Sequence, residues 1–271
     1  MPYIALVFAL LLPWLLGYFW LAAIEYRLNP SGGNRYRQAG YGFFLGYAAL
    51  QGLVLACNTV FDDATFWPAF TLLVSLTAAG GVFFGLSRKA ASAAHPPGKP
   101  ETQALPTADR ALLYLFTAWA ALHLIFVAVE ILHRPVFPWD AWLNWMYRAK
   151  AWYSAGHLFY LDHPSDWLSS SGQAHYNVVG NHYPTFVPVI AFWAASALGR
   201  WSETLVNLPV LGCGVALGLA LYGQCREYGM HKGRSALCAY LLLSIPLVGA
   251  HLSLAGQADI WMAGFTGLGF V

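Results

Sequence analysis

Residues 135–153 read Pro-Val-Phe-Pro-Trp-Asp-Ala-Trp-Leu-Asn-Trp-Met-Tyr-Arg-Ala-Lys-Ala-Trp-Tyr, setting four tryptophans around one carboxylate, Asp140, at the start of the longest polar loop of the chain. Trp and Tyr favour the headgroup zone of a bilayer because their rings are apolar while an N–H or O–H stays wet. The stretch is therefore expected at a membrane surface, where Asp140 meets both lipid and water.

The surrounding sequence supports that setting. With 58% hydrophobic and 10% charged residues and a mean hydropathy of +0.52, the 271-residue chain has the composition of an integral membrane protein, not of a water-soluble globule. Apolar runs of about 20 residues, enough to cross a hydrocarbon core of about 30 Å as helix, fall at about 3–24, 40–60, 66–87, 111–133, 204–225 and 235–254. The expected fold is an all-α, polytopic membrane bundle with an interfacial helix in its first large outer loop, 134–182. It divides into a three-helix bundle over 1–87, a linker over 88–110 containing His-Pro-Pro-Gly-Lys-Pro, and a module over 111–271. The formal charge of +2 comes without a basic patch, so no nucleic-acid partner is expected.

Residues 1–24 lack a basic segment ahead of the apolar run and a cleavage pattern after it, so they read as a retained helix. Cys57, Cys213, Cys225 and Cys238 lie in or beside apolar runs without Cys-x-x-Cys spacing and read as packing residues.

Basic residues in short loops set the orientation. Arg27, Arg35 and Arg37 follow the first run and Arg88, Lys89 and Lys99 follow the third, which puts both loops in the cytoplasm. The Asp62-Asp63 turn and the 134–182 loop then face outward. Counting the short run 184–199 as a crossing would reverse this pattern, placing Arg226, Lys232 and Arg234 outside. Pro184 and Pro188 begin that run and Gly199-Arg200-Trp201 ends it, so it is expected to be a half-inserted helix. Asp259 then returns to the outer face with Asp140.

A helix starting near Trp139 puts Asp140, Asn144, Tyr147 and Arg148 on one face. The opposite stripe, Trp142, Trp145, Met146, Ala149, Trp152 and Tyr153, suits the interface plane, and Gly156 suits a stop. A plainer reading makes Asp140 only the N-cap of an anchoring helix. Asp162, His163, Asp166, His175, His182 and Tyr183 populate the rest of the loop, and Tyr183-Pro184 hold His182 near the membrane. Asp259 lies between two apolar runs, where a carboxylate needs a partner or a function. His251 and Glu130 are candidates to converge on it, and the plainer reading is again an N-cap. Gly81-x-x-x-Gly85 and Gly214-x-x-x-Gly218 are expected to be helix contacts. Gly212-Cys213-Gly214 follows no strand and lies inside a span, which excludes a dinucleotide fingerprint.

Taken in order, Pro138-Trp139-Asp140 with Arg148 and Lys150, then His182-Tyr183-Pro184, then Gly256-Gln257-Ala258-Asp259 resemble the GT-C class of membrane glycosyltransferases. The order is similar to that of aminoarabinose transferases and protein O-mannosyltransferases, over residues 110–271. The resemblance implies transfer of a sugar from a polyprenyl-phosphate donor to an acceptor hydroxyl or amine at the outer leaflet. It implies Asp140 as general base and Asp259 as the second outer-face acid. Arg148 and Lys150 would meet the donor phosphate, and Asn144, His182 and Tyr183 would bind substrate. His182 stands where relatives hold a metal-binding or substrate-binding acid, and that departure leaves the use of a divalent metal open. The implied location is a bacterial cytoplasmic membrane with the site facing the periplasm or exterior. The chain stops at Phe270-Val271 inside an apolar run where the class continues, and so reads as a fragment or a short form. The competing class is a transporter or an assembly subunit, with the acids lining a path. A helix broken at mid-membrane would favour transport.

Overall fold

The computed structural model describes residues 2–61, 65–94, 106–167, 177–254 and 256–269. Eleven α-helices dominate these residues: α1 Pro2–Leu28, α2 Arg35–Val60, α3 Phe66–Ala94, α4 Thr107–His133, α5 Met146–Ala155, α6 Pro164–Trp167, α7 Phe186–Leu198, α8 Leu208–Glu227, α9 Lys232–Leu243, α10 Pro246–Ser253 and α11 Asp259–Gly269. A π-helical turn, Ala141–Trp145, leads into α5, and Asp162 and Asn177 form an isolated β-bridge. The turn at Asp62-Asp63, residues 95–105 of the 88–110 linker and His175 lie outside the described residues.

Among the described residues, five helices are long and apolar enough to cross a membrane: α1, α2, α3, α4 and the 205–227 segment containing α8. They keep large apolar side chains on the outside, as lipid-facing helices do. In α4, Trp119, Phe126 and Ile125 are 52%, 62% and 58% exposed. The run expected to span 235–254 is not one helix. Ser244 and Ile245 interrupt it, and α9 and α10 meet at a 63° bend. Pro246 explains the break, because it has no N–H to continue the ladder and biases the preceding residue away from helix. The Ser244 hydroxyl bonds the Leu241 carbonyl freed there.

Two ends of the bundle are distinct. At one, Arg37 bridges Glu25 at the end of α1 (2.8 Å) and Glu227 at the end of α8 (2.7 Å), and Glu227 also accepts the Asn34 amide. Asp109 of α4 accepts the Gly233 amide of α9 at the same end. At the other end, Asn58 near the end of α2 exchanges hydrogen bonds with both backbone groups of Leu158. The α7 helix belongs to this second end. Gln51 donates to Thr185 just before it, Trp193 donates to Ala9, and Arg200 just after it reaches Tyr3 at the start of α1. Thirteen residues of helix reach only about 20 Å, and here both their ends return to the side where α1 starts. The 205–227 segment therefore runs to the Arg37 end, and α9 with α10 comes back.

Close packing among α1, α2 and α8 depends on glycines. A Cβ at Gly46 would sit 1.7 Å from the Pro13 carbonyl oxygen, and one at Gly17 would sit 1.9 Å from that of Gly42. On the other face of α2, a Cβ at Gly40 would come 2.5 Å from Ala216, and on α8 one at Gly223 would come 2.2 Å from the Arg37 amide. The pair Gly42-x-x-x-Gly46 is thus the tight small-residue contact. The expected pair Gly81 and Gly85 is not: Gly85 has no neighbour within 4 Å and Gly81 meets only the Phe19 ring at 3.7 Å. Gly214 and Gly218 receive leucine side chains from α4, α9 and α10 instead of a facing backbone.

Candidate functional site

Asp140, at the entrance of the π-turn, has helical backbone angles and makes no capping bond, so the N-cap reading does not hold for it. The π-turn closes through the Met146 amide onto the Ala141 carbonyl. It adds a residue to one turn, so a uniform wheel drawn through 140, 144 and 148 misassigns the faces. Asn144 and Arg148, expected on an open polar face, are 5% and 2% exposed. Trp145, Met146, Ala149 and Trp152 of the expected lipid-facing stripe are buried inside the protein, while Trp142 is 59% exposed.

The buried pair clamps the loop ahead of α7. Asn144 accepts the Gly180 amide at 2.9 Å and reaches Asp140 with its other end at 3.4 Å. Arg148 donates to the Tyr183 carbonyl at 2.9 Å and to the Gly180 carbonyl. Burial pushes its guanidinium pKa down, since desolvation disfavours the charged form. Gly180 is required here: a Cβ would lie 2.8 Å from both Asn144 and Tyr183. The clamp lays Tyr183 on Trp145, with ring centroids 5.2 Å apart. Arg148 is therefore committed to two carbonyls and is not open to a phosphate.

Asp259 arrives from the opposite direction. Gly256, with φ +78°, turns the chain against Ala141 and Met146, and a Cβ there would be 3.0 and 2.9 Å from them. Ile260 and Trp261 then bury themselves, with Trp261 stacked on Phe43 and edge-on to Phe186. This wedge sets Asp259 at the first residue of α11, where a helix N-terminus stabilises negative charge. His251 Nδ1 is 3.6 Å from the Asp259 carboxylate and has no hydrogen-bond partner, so the bend at Pro246 brings a histidine behind the acid. Glu130 does not join them and pairs with Arg134.

Asp140, Tyr183 and Asp259 line one cavity of about 480 Å³, with Trp145, Gln257 and Met262. An apolar chamber of about 460 Å³ adjoins it and shares Trp145, Ala258, Met262 and Thr266. Its far wall includes Gln51, Phe186 and Phe265. The Gln51–Thr185 contact and the inward dip of α7, neither of which carries a motif, create this chamber.

Two expected members lie elsewhere. Lys150 faces a separate cavity of about 110 Å³, 3.5 Å from Glu203 and over the Trp201 ring. His182 is exposed beside Tyr183 and lines neither chamber. His163 bonds Ser165, and the Asp162 carbonyl accepts the Val178 amide. Among the described residues no three His, Cys, Asp or Glu side chains come together in a way that could hold a metal ion. No protein-family model matches the chain, and no curated protein or solved structure matches it.

Proposed function

We propose that the chain is a membrane transferase of the GT-C kind that moves a sugar from a polyprenyl-phosphate donor to an acceptor at the outer leaflet. One observation carries the reading: carboxylates from two distant segments line one cavity that opens onto an apolar chamber. In the transfer, the acceptor nucleophile forms a new bond to the sugar C1 as the C1–O bond to phosphate breaks. The bonding electrons leave with the lipid phosphate, and the acceptor proton passes to Asp140. General-base help of this kind contributes typically about 10²–10⁴-fold. Asp259 orients the acceptor, and Tyr183 on Trp145 forms the cavity wall. The donor phosphate needs cations other than Arg148, whose guanidinium is spent on the 180–183 loop. The proposed setting is the outer leaflet of a bacterial cytoplasmic membrane.

The test is release of lipid phosphate from a panel of polyprenyl-phosphate sugars by the purified protein. Asp140→Asn is expected to lower release by about 10² or more while leaving membrane insertion unchanged. Full activity of that variant removes Asp140 from the mechanism.

One observation favours the competing transport reading. The α9–α10 break falls 12 residues into the returning segment, or about 18 Å at 1.5 Å per residue, and interrupted helices at that depth form binding sites in transporters. Counterflow of solute in vesicles, with no lipid phosphate released, would decide for it.

A further inference from the structure

The two joined chambers differ in kind, and the difference selects a ligand. The inner one presents Phe186, Trp261 and Phe265 and suits a hydrocarbon chain. The other presents Asp140 and Asp259, and among the described residues no Lys or Arg lines either chamber. The two cations that the resemblance assigned to this site are occupied: Arg148 is buried behind the Gly180–Tyr183 loop, and Lys150 sits by Glu203 in its own cavity. His251, behind Asp259 at 3.6 Å, supplies at most one positive charge against the two carboxylates, so the space repels anionic groups and attracts a cation, more strongly beside low-dielectric walls than in water. Both volumes fall within the range of small-molecule sites, about 300–1,000 Å³.

We propose that this double cavity binds a single-chain amphiphile whose head is a protonated amine, with the chain against Phe186 and Phe265 and the ammonium between Asp140 and Asp259. The amine is the acceptor of the proposed transfer, and this identification rests on that reading. Asp140 then removes one ammonium proton and exposes the nitrogen lone pair, which attacks C1 as the C1–O bond breaks, and the product nitrogen keeps its other two protons as a secondary ammonium. A phosphate-headed lipid is excluded from this position and approaches from outside the acid chamber.

Equilibrium binding to the full chain in detergent tests the proposal without requiring turnover. The probes are dodecylamine, dodecanol and dodecyl phosphate, read by quenching of tryptophan fluorescence. Dodecylamine is expected to bind at least about tenfold more tightly than either of the others, a gap of one charge-assisted contact. Asp140→Asn and Asp259→Asn should each remove most of that gap. Ala48→Trp, on the exposed rim of the apolar chamber, should weaken all three amphiphiles and leave the head-group preference intact. Dodecanol or dodecyl phosphate binding as tightly as the amine overturns the proposal. So does an amine preference that survives both aspartate substitutions, or failure of the folded protein to bind the amine. Tight amine binding without lipid-phosphate release would reject the transferase reading alone, while release to a hydroxyl acceptor without amine binding would reject only this one.

Discussion

Replacing Arg148 by methionine distinguishes a structural guanidinium from a phosphate-reading one. Arg148 is 2% exposed and donates to the carbonyls of Gly180 and Tyr183. Hydrogen bonds to a charged group contribute about 1.5–3 kcal/mol each, and a buried carbonyl left unpaired costs about 1–3 kcal/mol. Methionine fills part of the volume and removes the cost of burying a cation, which offsets some of the loss. The net expectation is destabilisation by about 3 kcal/mol. For a chain of this size that corresponds to a melting-temperature drop of roughly 6–12 °C in detergent. Arg148→Lys, whose single ammonium cannot fork to both carbonyls, should fall about midway. Hydrogen exchange should accelerate at the Gly180 amide, which Asn144 holds at 2.9 Å. A methionine variant that melts within a degree or two of the parent, with unchanged exchange over 180–183, would refute the clamp.

Other outcomes follow from the packing. Gly46→Ala should cost more than about 2 kcal/mol by forcing α1 off α2, since its Cβ would sit 1.7 Å from the Pro13 oxygen. Gly85→Ala, with nothing within 4 Å, should be neutral or slightly stabilising. Parallel melts of the two variants check this contrast. Arg37→Met leaves Glu25 and Glu227 without their shared cation, and a loss of about 2 kcal/mol is expected from these partly exposed groups. A thermal melt of this variant beside the parent checks the figure.

The amphipathic bookkeeping of the chain was readable where it depended on composition and on loop charge. Five long helices, the short α7 and the meeting of the Arg37 end of α2 with the 226–234 segment at one end of the bundle agree with the sequence reading. So does the arrival of Asp259 in the same cavity as Asp140. What failed depended on local geometry without a residue signature. The π-turn at Ala141–Trp145 shifts the wheel, so Arg148 and Asn144 face the protein, not the solvent. The bend at Pro246 did have a signal, the proline itself, but an unbroken apolar run obscured it. Gly42-x-x-x-Gly46 was equally visible, and only knowledge of which faces meet separates it from Gly81-x-x-x-Gly85. His251 was singled out as a candidate neighbour of Asp259, and the structure brings the two within 3.6 Å. The basic members of the GT-C-like motifs, Arg148 and Lys150, are placed by packing that leaves no mark in the sequence: one is held by the 180–183 loop and the other lines a separate cavity.

The convergence of the two carboxylates requires the turn before α11 to lie against the π-turn that carries Asp140. In a background lacking Cys57, Cys213, Cys225 and Cys238, the double variant Ala141→Cys, Gly256→Cys tests this contact directly. A Cβ at position 256 would be 3.0 Å from that of Ala141, close to the separation of about 3.5–4.5 Å that a disulfide spans. Mild oxidation should cross-link the folded protein in membranes within one chain. A double variant that folds as the parent does and yields no cross-link would contradict the shared cavity and the proposals built on it.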